Sequence, residues 1–111
     1  MKVDRAAVEG EYARLQGRLA RVGWISQGYV QDRGAGAGGP HYQWTRKVRG
    51  KTVSVALSRE QFEALAEAIE HWREVERILD RMQQLTRQLI FGTLPDTRRR
   101  KRLSKKVLGL I

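Results

Sequence analysis

The chain has no cysteine and only two prolines in 111 residues. The first absence excludes disulfides and thiolate zinc sites and fits a reducing compartment. The second leaves long stretches without helix-breaking punctuation, above all Arg59 to Phe91, which holds neither Pro nor Gly. Long apolar runs are missing too. No window approaches the ~20 residues that span a bilayer, and the N-terminal MKVDRAAVEGEYARLQ carries charge where a signal peptide needs an apolar centre. The sequence therefore predicts a cytoplasmic protein with no membrane partner. Acids are scarce relative to bases: 12 Asp plus Glu face 22 Lys plus Arg, a formal charge of +10. Most of the bases are arginine, the residue suited to bidentate phosphate contacts, so the expected partner is acidic. At this length a single domain with one modest core is expected.

What is present is organised around Tyr42 to Leu57, YQWTRKVRGKTVSVAL. A two-residue Arg49-Gly50 turn pairs Tyr42 with Leu57, Trp44 with Val55 and Arg46 with Val53, and five of those six residues are apolar. The same register places His41, Gln43, Thr45 and Lys47 with Thr52, Ser54 and Ala56 on a polar face. Before the hairpin, Asp4 reads as the N-cap of a helix to about Val22, striped by Val8, Tyr12, Leu15, Leu19 and Val22. Trp24 to Val30 fits a loose first strand, and the glycine-rich stretch Arg33 to Pro40 reads as a mobile loop. After the hairpin, Ser58 and Gln61 form a capping box. A long helix follows, with Phe62, Leu65, Ile69, Trp72, Val75, Leu79, Met82, Leu85 and Leu89 stepping by threes and fours to an end at Gly92.

The expected fold is α+β: an N-terminal helix, a small three-stranded antiparallel sheet or hairpin, a long helix and a basic tail. Residues 1–92 form the domain, with an antiparallel two-helix layer and the sheet leaning on the Phe62 end, and residues 93–111 form the tail. The long helix, roughly 50 Å at 1.5 Å per residue, outreaches the first and suggests a homodimer or a larger complex. On the hairpin, Trp44 and Tyr42 read as core beneath that helix, since Val53, Val55 and Leu57 share their face, although an open face would let them stack on bases.

Charge is concentrated in the tail, where Asp96 to Ile111 holds seven basic residues and one acid. Arg98, Arg99, Arg100, Lys101 and Arg102, followed by Lys105 and Lys106, suit phosphate neutralisation, whose counterion release yields salt-dependent, sequence-independent attraction. A solubilising end or attraction to anionic lipid would use the same residues. If Asp96 caps a short helix, Leu103, Val107, Leu108, Leu110 and Ile111 share one stripe, in a segment able to fold on binding. Arg46, Lys47, Arg49 and Lys51 add a basic fingertip at the hairpin turn. Arg14, Arg18 and Arg21, and Arg73, Arg77 and Arg81, read instead as solvated helix faces.

No residue set announces a reaction. His41 and His71 are too few for a metal site, the serines lack a nucleophile elbow, and the glycine run Gly34 to Gly39 lacks the Lys-Ser/Thr ending of a phosphate-cradling loop. Glu63/Glu67 and Glu70/Glu74 are i,i+4 acids of the kind that usually face water. The reading is a non-enzyme without cofactor or metal that binds DNA or RNA. The alternative is a protein-interaction or oligomerisation module, or small subunit of a larger complex, built on the long helix.

Gly39-Pro40-His41-Tyr42, Trp44-Thr45-Arg46, Val48, Gly50-Lys51-Thr52 and Leu57-Ser58-Arg59-Glu60-Gln61 together resemble a family of small bacterial proteins of uncharacterised function, often found near mobile elements. The likeness covers roughly residues 20 to 90, with His71-Trp72-Arg73 similar to a feature in the middle of that family's long helix. It implies an accessory nucleic-acid role. That family commonly carries a cysteine cluster before the GPHY segment, which is absent here, so the resemblance carries over no metal site.

Overall fold

The structure is a computed structural model that describes residues 3–36, 38–97 and 102–111. It is α+β, in the order α1 (Arg5–Arg21), β1 (Tyr29–Asp32), β2 (Tyr42–Val48), β3 (Lys51–Leu57) and α2 (Arg59–Thr93). The chain forms two compact units, one of residues 1–21 and 76–111, the other of residues 22–75, so α2 contributes to both.

In the 22–75 unit the strands lie in the order β1-β2-β3, antiparallel throughout. The hairpin register is the one its alternation demands: Tyr42 faces Leu57, Trp44 faces Val55 and Arg46 faces Val53. Arg49 and Gly50 take φ of 50° and 79°. Positive φ at both central residues is the type I′ geometry, whose twist matches that of the flanking strands. Ser58 then caps α2 reciprocally: its Oγ accepts from the Gln61 amide at 3.1 Å, while Gln61 Oε1 accepts from the Ser58 amide at 2.9 Å.

The first strand begins later than its sequence suggests, at Tyr29 instead of Trp24. Residues 24–26 bond to α2 instead: the Ser26 amide donates to Ala68 O at 3.2 Å, and His71 Nδ1 donates to Trp24 O at 2.7 Å. A Cβ on Gly23 would lie 2.9 Å from the His71 ring, so glycine permits this approach. Gly28 makes the bend into β1 at φ +101°, where a Cβ would sit 2.6 Å from both Thr45 O and Trp44 Nε1. The glycine-rich connection is closed by Arg33, whose guanidinium donates to Pro40 O and Gly38 O, each at 3.2 Å.

The other unit is an antiparallel helix pair. Asp4 Oδ1 caps α1 by accepting from the Ala7 amide at 3.2 Å. Leu15, Ile78 and Leu85 form the buried cluster, flanked by Val8, Tyr12, Leu19 and Met82. Leu79, expected in the stripe, is 39% exposed, and its neighbour Ile78 is buried in its place. A 35-residue helix at 3.6 residues per turn drifts past a strict heptad spacing, which moves the buried position by one residue. Arg81 spans the helices, donating from Nε to Glu11 Oε2 at 2.7 Å and from Nη2 to Glu11 Oε1 at 2.9 Å.

Gly92 does not end α2, which runs on to Thr93. Its missing side chain makes room for Val3, since a Cβ there would meet Val3 Cγ2 at 2.1 Å. No helix follows among the described residues. The C-terminal end instead folds back through turns: Leu108 is buried, Gly109 O accepts from Arg87 Nη1 at 3.4 Å, and Leu110 N–H donates to Lys105 O at 2.8 Å. Of the apolar tail residues, Leu103 and Leu110 are half-buried, while Val107 and Ile111 face solvent. Among the described residues no helix is long and apolar enough to cross a membrane.

Candidate nucleic-acid interface

The turn end of the hairpin gathers four cations within six residues. Arg46, Lys47, Arg49 and Lys51 are all exposed. Strand alternation sends Arg46 and Lys51 to the face of Trp44, and Lys47 to the face of Thr45. Arg46 is held over the indole of Trp44, its guanidinium carbon 5.0 Å from the ring centroid, a cation–π arrangement that fixes the head group without neutralising it. The indole is itself anchored, with Nε1 donating to Gln27 O at 3.1 Å.

Several carboxylates are committed elsewhere. Arg5 pairs with Glu9, Arg59 with Glu63, Arg73 with Glu70 and Arg81 with Glu11. His41 Nε2 lies 2.9 Å from Asp32 Oδ1. Among the described residues none of the four hairpin cations has a carboxylate partner. Their fields therefore add, and attraction for a polyanion extends over about a Debye length, ~8 Å at physiological salt. The helix arginines contrast with this. Hydrogen bonding to Arg81 holds the Glu11 carboxyl below its ordinary range and raises Arg81 in turn, against the opposing effect of partial burial. Arg81, read from sequence as part of a solvated face, is thus a link between helices.

Of the tail cations, Arg102, Lys105 and Lys106 are exposed. Arg98, Arg99, Arg100 and Lys101 lie outside the described residues. Hairpin and tail cations belong to different compact units.

The aromatic side of the hairpin departs from the expected core. Its base is covered, with the Tyr42 ring 4.8 Å from Phe62 and stacked at 4.1 Å on His41. Towards the turn the same face opens, and Val53 and Val55 are 36% and 42% exposed. The reason is local: Leu57 leads directly into the Ser58 cap, so α2 starts at the base of the hairpin, and β3 is an edge strand with a neighbour on one side only. Trp24, at 92%, and Tyr29, at 54%, are more exposed still. Nothing in the local sequence around either aromatic signals this, because exposure follows from where the chain joins α2 and from the strand order.

Among the described residues no group of three or more His, Asp or Glu side chains is placed to hold a metal ion. No protein-family model matches the chain, and no curated protein and no solved structure shows significant similarity to it.

Proposed function

We propose that this protein is a non-catalytic nucleic-acid-binding accessory protein that attaches mainly through phosphate contacts, with Arg46, Lys47, Arg49 and Lys51 positioning the hairpin and the tail cations adding affinity. The observation that carries this reading is the unpaired basic cluster at the hairpin turn. Arg49 strengthens it. The first central position of a type I′ turn favours Asn or Gly, and a side-chain-bearing residue in the left-handed region costs roughly 1–2 kcal/mol. Arg49 sits there at φ 50°, so a charged head is kept at the tip against local backbone preference. The resemblance to proteins near mobile elements points the same way, and a cytoplasmic setting suits it. Phosphate contacts carry affinity and no direct sequence information, so binding is expected to be general.

A second reading has its own observation. The end of α2 leaves Ile90 and Phe91 about 40% exposed, at 42% and 40%, and Leu94 beyond it at 58%, which suits a protein partner or a second copy. The central stripe does not call for one, because Leu85 is buried and Met82 packs against the α1 cluster.

The test is fluorescence anisotropy of labelled duplex DNA, single-stranded DNA and RNA at two salt concentrations. The protein is compared with a variant carrying Arg46→Ser, Lys47→Ser, Arg49→Ser and Lys51→Ser, and with another carrying Arg102→Ser, Lys105→Ser and Lys106→Ser. Substitution is used instead of truncation because Leu108 is buried. Each lost phosphate contact lowers the slope of log K against log salt by about 0.9 on duplex and about 0.7 on single strands. Absence of binding at low salt overturns the reading and brings the protein-partner alternative forward.

A further inference from the structure

Beside the start of β1 lies a recess of about 360 Å³, lined by Gly28, Arg46 and four residues of the sheet face opposite Trp44, namely Tyr29, Thr45, Lys47 and Thr52. Its construction follows from two registers. Tyr29 lies opposite Thr45 across β1 and β2, and Thr45 opposite Ser54 across β2 and β3, so one row runs from the phenol ring to two hydroxyls. The next row towards the turn pairs Lys47 with Thr52. Thr45 is buried at 9% exposure, with its Oγ1 3.3 Å from Ser54 Oγ, and forms the floor. Tyr29 stands at the edge, 54% exposed.

The residues on this face are complementary to one kind of ligand. Tyr29, Gln31, Gln43, Thr45, Lys47, Thr52 and Ser54 offer an aromatic ring, amides, hydroxyls and a cation, and the strands place no carboxylate among them. The strands' only acid, Asp32, falls by alternation on the opposite face and engages His41. Amides and hydroxyls donate and accept, as base edges require. An exposed ring at the edge of a basic recess is the arrangement on which an unpaired base stacks, because every base has a π-face. A paired base inside a duplex offers no such face.

We infer that this recess is a nucleotide subsite for single-stranded nucleic acid, with the base stacked on Tyr29, its edge towards Thr45 and Thr52, and the adjoining phosphate at Lys47. The inference rests on the nucleic-acid reading and deepens it: the hairpin cations attract any polyanion, while the recess discriminates in favour of single strands. Tyr29 is the residue that confers the preference, and Lys47 serves both roles.

The experiment measures anisotropy with a labelled single-stranded oligonucleotide and the corresponding duplex, using the intact chain and its Tyr29→Leu and Tyr29→Phe variants, with circular dichroism as a check on folding. The intact chain is expected to prefer the single strand. Tyr29→Leu is expected to lower single-strand affinity roughly tenfold, the scale of one lost base stack, while leaving duplex affinity and both salt slopes unchanged. Tyr29→Phe keeps the ring and is expected to bind like the parent. If Tyr29→Leu binds single strands as tightly as the parent, or weakens duplex and single strand equally, the subsite is overturned and the phosphate-contact reading stands. If the intact chain binds no nucleic acid at low salt, both fall.

Discussion

The two compact units of this chain use the same residue types to different ends. The helix-pair unit buries Leu15, Ile78, Leu85 and Leu108 and ties Arg81 to Glu11. Among the described residues, the 22–75 unit buries only Ile69 of its apolar side chains, leaves Val53 and Val55 in contact with water, and carries four cations at the hairpin turn without a carboxylate partner. A three-stranded sheet whose helix begins at its base covers little of its own face, so its order must come from register, turn and caps. The comparison teaches that apolar side chains stabilise one unit chiefly by burial, whereas in the other the backbone geometry holds the fold and leaves side chains free for contact.

The largest effect that would break this contrast is a core truncation. Leu85→Ala is expected to cost about 3 kcal/mol, the scale of a buried Leu→Ala change with its cavity, against well under 1 kcal/mol for Val55→Thr on the exposed sheet face, where transfer from water is incomplete and β-propensity is similar. Urea denaturation followed by circular dichroism measures both, and equal losses would show the sheet face to be as buried as the helix core. Next comes Gly28→Ala, in which a Cβ would press on Thr45 O and Trp44 Nε1 at a positive φ. A loss of about 2 kcal/mol is expected from strain of this kind, and a neutral result would mean that β1 can re-enter the sheet by another path.

Ser58→Ala probes the junction between hairpin and α2 and is expected to cost about 1 kcal/mol, the worth of a helix N-cap. Arg49→Asn sharpens the comparison from the other side. Relief of left-handed strain is expected to stabilise the protein by about 0.5–1 kcal/mol, while the loss of a tip charge lowers the salt slope of nucleic-acid binding. Destabilisation would show that Arg49 serves the fold.

The smallest expected effect is at Glu11. Its carboxyl titrates below the ordinary glutamate range in the folded protein because Arg81 hydrogen-bonds the charged form. The stabilisation is therefore fully present above the unfolded pKa and is lost as pH falls through the lowered folded value. Glu11→Gln is expected to cost about 0.5 kcal/mol at neutral pH, discounted because both side chains are at least one-third solvent-exposed, and to flatten the acid limb of stability against pH. An unchanged acid limb would place that dependence on other carboxylates.

Local rules account for much of what was legible. Alternation along β2 and β3 is compatible with a single register, the Arg49-Gly50 turn suits it, and Ser58 with Gln61 marks the helix start within one residue, because each signal acts over a few neighbouring backbone groups. The long helix was legible for the same reason, since nothing between Arg59 and Phe91 interrupts it. Gly92 misled because a glycine near a helix end has two explanations, a left-handed cap or a close contact, and only the position of Val3 distinguishes them. The candidate site was legible in part: the cations are plain in the sequence, but Tyr29 acquires its place beside Lys47 only when β1 pairs with β2.

By itself, then, the sequence determined element types, the hairpin register, the capped start of α2 and the concentration of positive charge, all consequences of short-range periodicity and composition. Tertiary structure alone decided which carboxylates neutralise which arginines, that Ile78 and not Leu79 faces α1, that Leu108 is buried, and that Tyr29, Thr45 and Lys47 line one recess. Those outcomes depend on contacts between residues far apart in the chain, whose energies are set by distance and burial once the elements have packed.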